Sequence, residues 1–283
     1  MQLAIIQDKM MPLSELPDVY LDRGTFFGDG VYEVLRSYDG TIFALDEHLN
    51  RFSNSLAAIH ITNVDISGIR QKVLQAFETA GIANAKIYFH ITRGSAPRNH
   101  ACEADLEPTF FLTITEMADD TEENECGIAV STFPDWRWKR CDIKSLNLLA
   151  NVLAKQDAER KGCQEAILVD ESDLITEGAS SGFFIVSGKT VQTAPLAANI
   201  LPSITRSYVI KAAGNIDLKV LEESATPAQA LDADELFIAV TTKGIVPVVK
   251  FDGKLITTGR AGKYTKLLIK EFRSFIHACS RQA

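Results

Sequence analysis

Four stretches of this 283-residue chain hold residue types that could do chemistry. Arg98-Asn99-His100 sets two side chains able to carry positive charge two residues apart. Such a pair could hold a carboxylate, with arginine supplying a bidentate fork. A solvated basic loop is the plainer reading, and spacing alone favours it. Thr176-Glu177-Gly178-Ala179-Ser180-Ser181-Gly182 puts an acid before a run of small residues. Small residues let backbone approach a ligand closely, although an ordinary Gly/Ser turn has the same composition. Ile204-Thr205 opens a predicted helix, where free N–H groups and the dipole suit a phosphate. Every helix has such a start, so this signal is weak alone. Lys144 follows Arg140-Cys141-Asp142-Ile143 and precedes an apolar helix. A lysine drawn against apolar groups could serve as nucleophile or base. Spacing does not separate it from a surface lysine.

Regular elements must position these groups. Val31–Tyr38 is rich in β-formers, Asp39-Gly40 is a turn signal, and Thr41–Leu45 completes a hairpin. Asp46 is placed to cap a helix bearing Leu49, Phe52, Leu56 and Ile59 on one face. A second helix carries Ile66, Ile69, Val73 and Phe77 and stops at Gly81. Lys86–Thr92 alternates apolar and polar residues as a half-buried strand does, and Thr109–Thr115 is another strand. Met117–Glu125 is acidic, poor in apolar residues, and predicts a linker. Beyond it come a strand at Gly127–Ser131, a helix over Leu146–Lys161 ended by Gly162, and strands at Ala166–Val169 and Phe183–Val186. A helix over Ser203–Ala213 stops at Gly214. Thr226-Pro227-Ala228-Gln229 is a capping box with proline at the first helical position. Strands at Leu236–Val240 and Ile245–Val249 and a helix from Gly259 to His277 complete the pattern. Trp136 and Trp138 read as core. Strands and helices in both halves imply an α/β (α+β) chain of two domains, 1–117 and 126–283, joined by 118–125.

Composition narrows the field further. The net charge of −8 is a poor prior for nucleic acid or an anionic membrane. No apolar run approaches the ~18–20 residues of a membrane span, and the N-terminus lacks a cationic n-region and carries Asp8 early, which argues against a signal peptide. Five cysteines without CxxC spacing point to reduced thiols in the cytoplasm. The five histidines form no HxxxH or HExxH pair, so no metal site is expected. GxxxxGK[ST] and GxGxxG are both missing, which removes the P-loop and standard dinucleotide folds.

Taken in order, these stretches and their neighbours resemble the class IV, fold-type IV, pyridoxal-phosphate (PLP) aminotransferases, and among them the bacterial D-amino acid enzymes. The resemblance rests on Asp22-Arg23-Gly24 with Phe27-Gly28-Asp29-Gly30-Val31-Tyr32-Glu33-Val34, then Glu47-His48 with Arg51, then Thr92-Arg93-Gly94 with Pro97-Arg98 and His100. It continues through Arg140–Leu149, Thr176-Glu177-Gly178 with Ser180-Ser181, Ile204-Thr205-Arg206, and Asp234–Phe237 with Thr241-Thr242. Seven collinear motifs over most of the chain make coincidence implausible.

The resemblance implies a two-domain enzyme holding PLP in the cleft between domains. It makes Lys144 the lysine of the internal aldimine and the proton shuttle, and Glu177 the carboxylate opposite the pyridine nitrogen. It assigns Arg51, Ile204, Thr205 and Thr241 to the phosphate, and sets Ser180 and Ser181 beside the ring. Tyr32, Arg98 and His100 match the trap for the substrate α-carboxylate and Val34 becomes a further substrate contact, with Arg98 and His100 acting across the interface of a homodimer. The implied reaction moves an amino group between a D-amino acid, such as D-alanine or D-glutamate, and a 2-oxo acid, such as 2-oxoglutarate or pyruvate.

Three positions depart from the family pattern: Gly182 stands for a common asparagine, Val240 for a hydroxylated residue, and Ala179 for serine. They predict a looser loop and one hydrogen bond fewer on the phosphate side. A branched-chain L-amino acid aminotransferase would need its carboxylate and side-chain pockets exchanged, and Arg98 and His100 speak against that. An aminodeoxychorismate lyase shares the lysine and glutamate but has a differently built carboxylate trap. A non-enzymatic relic that only binds PLP or a partner conflicts with the intact Lys144–Glu177 pair.

Overall fold

In a computed structural model of the chain, the structure describes residues 2–102, 106–118, 126–256 and 258–280. The linker expected at 118–125 lies outside these residues, apart from Ala118.

The chain begins with the hairpin β1 (Leu3–Ile6) and β2 (Lys9–Pro12), then the short helix α1 (Arg23–Phe27). A four-stranded antiparallel sheet follows, in the order β4 (Thr41–Ile42), β3 (Gly30–Tyr38), β5 (Ala85–Thr92), β6 (Thr109–Glu116). The helices α2 (Leu45–Ala58) and α3 (Ile66–Ala80) cover one face. Side chains alternate across β3. Val31 and Leu35 enter the core with Phe52 and Leu56 of α2, whereas Tyr32 and Val34 face a cavity on the other side.

The second sheet is mixed. It comprises β7 (Ile128–Pro134), β8 (Glu165–Val169), β9 (Ile175–Gly178), β10 (Gly182–Ser187), β11 (Thr190–Thr193), β12 (Lys219–Glu222), β13 (Glu235–Val240), β14 (Gly244–Phe251) and β15 (Lys254–Leu255). The strand order is β12-β11-β10-β13-β14-β7-β8-β9, with β15 paired to β14. Four helices accompany it: α4 (Leu149–Arg160), α5 (Ile204–Asn215), α6 (Pro227–Leu231) and α7 (Lys263–Ser280). β10 and β13, buried on both faces, carry continuous apolar runs. One core lies between these strands and the helices α5 and α7, and Phe43 and Ala44 from the first half join it.

Several expectations need correction. Asp46 does not cap α2; Ala44, in the left-handed region at φ 55°, is the N-cap, and its carbonyl accepts from His48 N. Asp46 instead pairs with Arg70. α4 begins three residues after the predicted Leu146, because the backbone of 144–146 is hydrogen-bonded to β3 and α2. Gly214 lies inside α5; Asp217, at φ 56°, takes the left-handed conformation beyond its end. Glu177 belongs to a strand rather than a Gly/Ser turn, since β9 pairs antiparallel with β8. Trp136 and Trp138 are not core: they are 62% and 45% exposed. The capping box at Thr226 forms as predicted.

Candidate active site

Lys144 sits between β7 and α4 in chain order, yet its backbone is fastened to the first sheet. Its N–H donates to Ser55 Oγ of α2 (3.1 Å), and its carbonyl accepts from Tyr32 N of β3 (3.0 Å). Ser145 bridges to Val31, and Leu146 N donates to the Gly30 carbonyl. This stitching sets the lysine Nζ 4.2 Å from the centre of the Tyr32 ring, a cation–π distance.

Tyr32, Val34, Arg51, Lys144, Glu177, Ser180, Ser181 and Thr241 all line one cavity of about 470 Å³. Eight of the twelve predicted residues therefore converge, although they come from both sheets. Ile204 and Thr205 are not on its wall; Leu201 and Ser203, just ahead of them, are. Ser203 caps α5 by accepting from Arg206 N (3.2 Å). That bond serves the third helical amide. The amides of Ile204 and Thr205, at the first two positions, have no intrahelical partner.

Arg98 and His100 are not brought to this cavity within the chain. They lie on the exposed loop after β5, beside Phe27. Arg23 holds that loop by its backbone, donating to the carbonyls of Asn99 (2.6 Å) and His100 (3.0 Å). Asp29 in turn accepts from both Arg23 and Arg93. Burial works to raise the Asp29 carboxyl, but these two arginines hold it below the usual range.

Two buried charge networks support the cavity wall. In the first, Arg51 donates to both oxygens of Glu33 (2.8 and 2.7 Å) and to the Pro202 carbonyl (3.1 Å), and His48 Nδ1 lies 2.7 Å from Glu33. Burial opposes ionisation of Glu33, but the charge of Arg51 and the bonds from His48 and Arg51 hold its carboxyl at about 2. Burial also lowers His48. Arg51 thus links α2 to the segment that opens α5.

In the second network, Arg137 donates to Glu177 and to Asp135, and Thr176 Oγ1 donates to Asp135 (2.8 Å). Leu201 N also donates to Glu177 Oε1 (3.0 Å). Burial pushes the Glu177 carboxyl up, against the pull of Arg137. Spacing gave no hint of Arg137, because its carboxylate partners stand two and forty residues away. Glu165 was missed likewise. Buried on β8, it accepts from the hydroxyls of Ser180 and Ser181 and fixes the turn between β9 and β10.

The departures from the family pattern fall on well-held backbone. Gly182 is the first residue of β10, opposite Ala239. A Cβ there would meet its nearest atom, in Phe184, at 3.4 Å, an ordinary contact. Ala179 is held by its N–H to Ala166 and by its carbonyl, which accepts from Asn151. The looseness expected at Gly182 therefore has no counterpart in its strand pairing. Among the described residues, no group of three or more His, Cys, Asp or Glu could hold a metal ion.

Known proteins place this architecture. The pattern of the family described as "Amino-transferase class IV" matches residues 30–251. The D-alanine aminotransferase of Bacillus licheniformis is 37% identical over 263 residues, covering 93% of each chain. That of Staphylococcus haemolyticus is 35% identical over 277 residues, covering 97% of this chain and 98% of the other. Among solved structures, the Escherichia coli branched-chain amino acid aminotransferase superposes with a TM-score of 0.86 at 24% identity, over 94% of this chain and 92% of that one. A hypothetical aminotransferase of Mycobacterium tuberculosis in its PLP-bound form does so with a TM-score of 0.81 at 18% identity, over 95% and 96%. At such identities the two structures speak for the fold, and the sequence matches carry the rest: this chain belongs to the class IV aminotransferases, with the fold-type IV architecture of that family.

Proposed function

We propose that this protein transfers an amino group between a D-amino acid and a 2-oxo acid, using PLP, as a homodimer in the cytoplasm. The observation that carries the proposal is the presence of Lys144 and Glu177 on the wall of one cavity that Arg51 also lines. The D-alanine aminotransferases at 35–37% identity support the choice of D-amino acids. The same reading divides the chain at 118–125, with the cofactor between the two sheets.

The residues present fit that cofactor. Both hydrogen bonds to Glu177 fall on Oε1, which leaves Oε2 to accept from a pyridine N–H. Arg51 and the free amides of Ile204 and Thr205 suit a phosphate at the start of α5, and Thr241 adds a hydroxyl. Bound PLP supplies an electron sink for reaction at the substrate Cα. Lys144 Nζ would hold the cofactor and is the amine that would carry the proton removed from Cα. Ser180 and Ser181, fixed by Glu165, shape the wall beside the ring. Tyr32 and Val34 border the substrate. Arg98 and His100 hold its α-carboxylate across the dimer interface, which accounts for their place outside their own chain's cavity. Leu149, Val152 and Leu153 form an exposed apolar stripe on α4 that suits such an interface. The five cysteines, all free, suit a reducing compartment.

Mixing the PLP-loaded protein separately with D-alanine, L-leucine and aminodeoxychorismate tests this reading. Loss of the visible cofactor absorbance with D-alanine alone is expected. Rapid reaction with L-leucine and none with D-alanine would overturn it.

A further inference from the structure

Arg23 opens α1 and is only 4% exposed, yet two of the groups it holds lie at the surface. All three of its guanidinium nitrogens are engaged. Nε donates to Asp29 Oδ2 (2.8 Å), Nη1 to the Asn99 carbonyl (2.6 Å) and Nη2 to the His100 carbonyl (3.0 Å). Residues 97–100 are all exposed. Water satisfies exposed carbonyls by itself. A buried guanidinium committed to two of them therefore acts on the conformation of the loop. Fixing an exposed loop costs backbone entropy, and two charge-assisted bonds offset that cost.

The fork is aimed from its other end. Asp29 follows Gly28, the left-handed residue (φ 63°) that closes α1. Arg93 holds the same carboxylate through Nε (2.9 Å) and Nη2 (3.0 Å). Arg93 is anchored in turn, donating to the carbonyls of Ile59 (2.6 Å) and His60 (3.2 Å) just past α2. With Nε pinned to Asp29, the rigid guanidinium presents Nη1 and Nη2 to the loop in a set direction. Phe27 completes the seat. The guanidinium of Arg23 lies 4.8 Å from its ring centre, that of Arg98 lies 5.2 Å away, and the His100 ring lies 5.2 Å away at a tilt. Arg23 thus fixes the backbone at Asn99 and His100, and one phenyl ring carries the side chains of Arg98 and His100.

We propose that Arg23, aimed by Asp29, is a positioning residue for substrate: it presets Arg98 and His100 against Phe27 so that they receive the α-carboxylate in the cavity of the second chain. This rests on the transaminase reading above, its homodimer included, and adds to it the group that prepares the lent pair before substrate arrives. A pair already ordered has less freedom to lose on binding. Every amino acid and 2-oxo acid substrate carries the α-carboxylate, so Arg23 acts on affinity for all of them and not on the choice among them.

Arg23→Lys tests this, because lysine keeps the charge beside Asp29 but replaces the fork by a single ammonium. Against the unaltered PLP-loaded protein, KM for D-alanine and D-glutamate should rise alike, on the order of 10-fold, with kcat within about threefold. With Arg98 and His100 both replaced by alanine, Arg23→Lys should add little. A hybrid dimer with a Lys144→Ala chain, purified by a different tag on each chain, gives the readout that a merely structural role would not move. There the Arg23→Lys chain keeps its own Lys144 and borrows an unaltered loop, so the live site should show the unaltered KM. A hybrid KM as high as that of the Arg23→Lys homodimer would place the effect within one chain and overturn the proposal, as would an unchanged KM in that homodimer or a full additional loss in the Arg98/His100 double variant. If Arg23→Lys does not fold, Arg23→Gln, which keeps one amide donor, is read by the same outcomes. A raised KM in Arg98→Ala with none in Arg23→Lys sinks this inference alone; an unaltered protein that reacts with no D-amino acid sinks the transaminase reading as well.

Discussion

The two halves of the predicted site behave differently. Six of the eight groups assigned to the cofactor converge on one cavity, and four of these are braced: Glu177 by Arg137, Arg51 by Glu33, Ser180 and Ser181 by Glu165. The arginine and histidine assigned to the substrate lie on an exposed loop outside that chain's own cavity, where Arg23 grips the loop backbone and both side chains pack against Phe27. The contrast teaches that one part of the proposed site is built from ion pairs buried within the chain, whereas Arg98 and His100 could take part only if a second chain brought them in, as the proposed dimer does. Four experiments break or sharpen this contrast.

Lys144→Ala has the largest expected effect. It removes the amine placed over Tyr32 and should lower kcat by at least about 10³-fold, read as the rate of cofactor absorbance loss with D-alanine. A near-normal rate would move the reaction away from this lysine.

Arg137→Ala leaves the buried carboxylates Asp135 and Glu177 without their cation. The expected cost is about 3–5 kcal/mol of stability, measured by denaturant unfolding, with Arg137→Lys recovering part of it. A cost near zero would mean that the bracing on the cofactor side is dispensable.

Acid titration probes the other brace. The Glu33 carboxyl drops from an ordinary 4.5 to about 2 in the folded chain. A lowered carboxyl contributes stability that is present in full above pH 4.5 and is lost as pH falls toward about 2. The expected loss is about 3 kcal/mol. Protonation of His48, whose folded value is also lowered, acts in the same direction. Unfolding curves of Glu33→Gln should show a flatter acid limb than those of the unaltered protein.

Arg98→Ala is expected to raise KM for every amino acid about 10- to 100-fold, with kcat little changed. Co-expression with Lys144→Ala chains sharpens the comparison. If Arg98 acts across the interface, a hybrid dimer holds one site with both lesions and one with none, so activity should rise well above that of either variant alone. No recovery would return Arg98 to its own chain.

Much of this was legible in the sequence, for reasons that differ by element. α3 is bounded by Asp65 and Gly81, and the cap at Thr226 is complete within four residues; both signals are local. The residues assigned to the cofactor were singled out by collinear motifs, which spacing alone could not do, and six of the eight line one cavity. The strand that carries Glu177 was not legible, because its Gly and Ser neighbours have the composition of a turn and the strand exists only through pairing with β8. Arg137 and Glu165 carry no local signal; their partners meet them only after the second sheet has formed. Trp136 and Trp138 failed for the opposite reason: large aromatics are usually inside, and these two are outside.

The fastening of Lys144 has a mechanical consequence. Although the lysine belongs by sequence to the second half, its N–H and carbonyl are tied to Ser55 and Tyr32 of the first. Glu177, by contrast, is carried by β9 of the second sheet. A small hinge or slide between the sheets therefore leaves the amine fixed above Tyr32 while changing its separation from the carboxylate. On the proposed reading, the two groups that would hold PLP belong to different frames of reference, and the angle between the sheets would set the distance from Lys144 to Glu177.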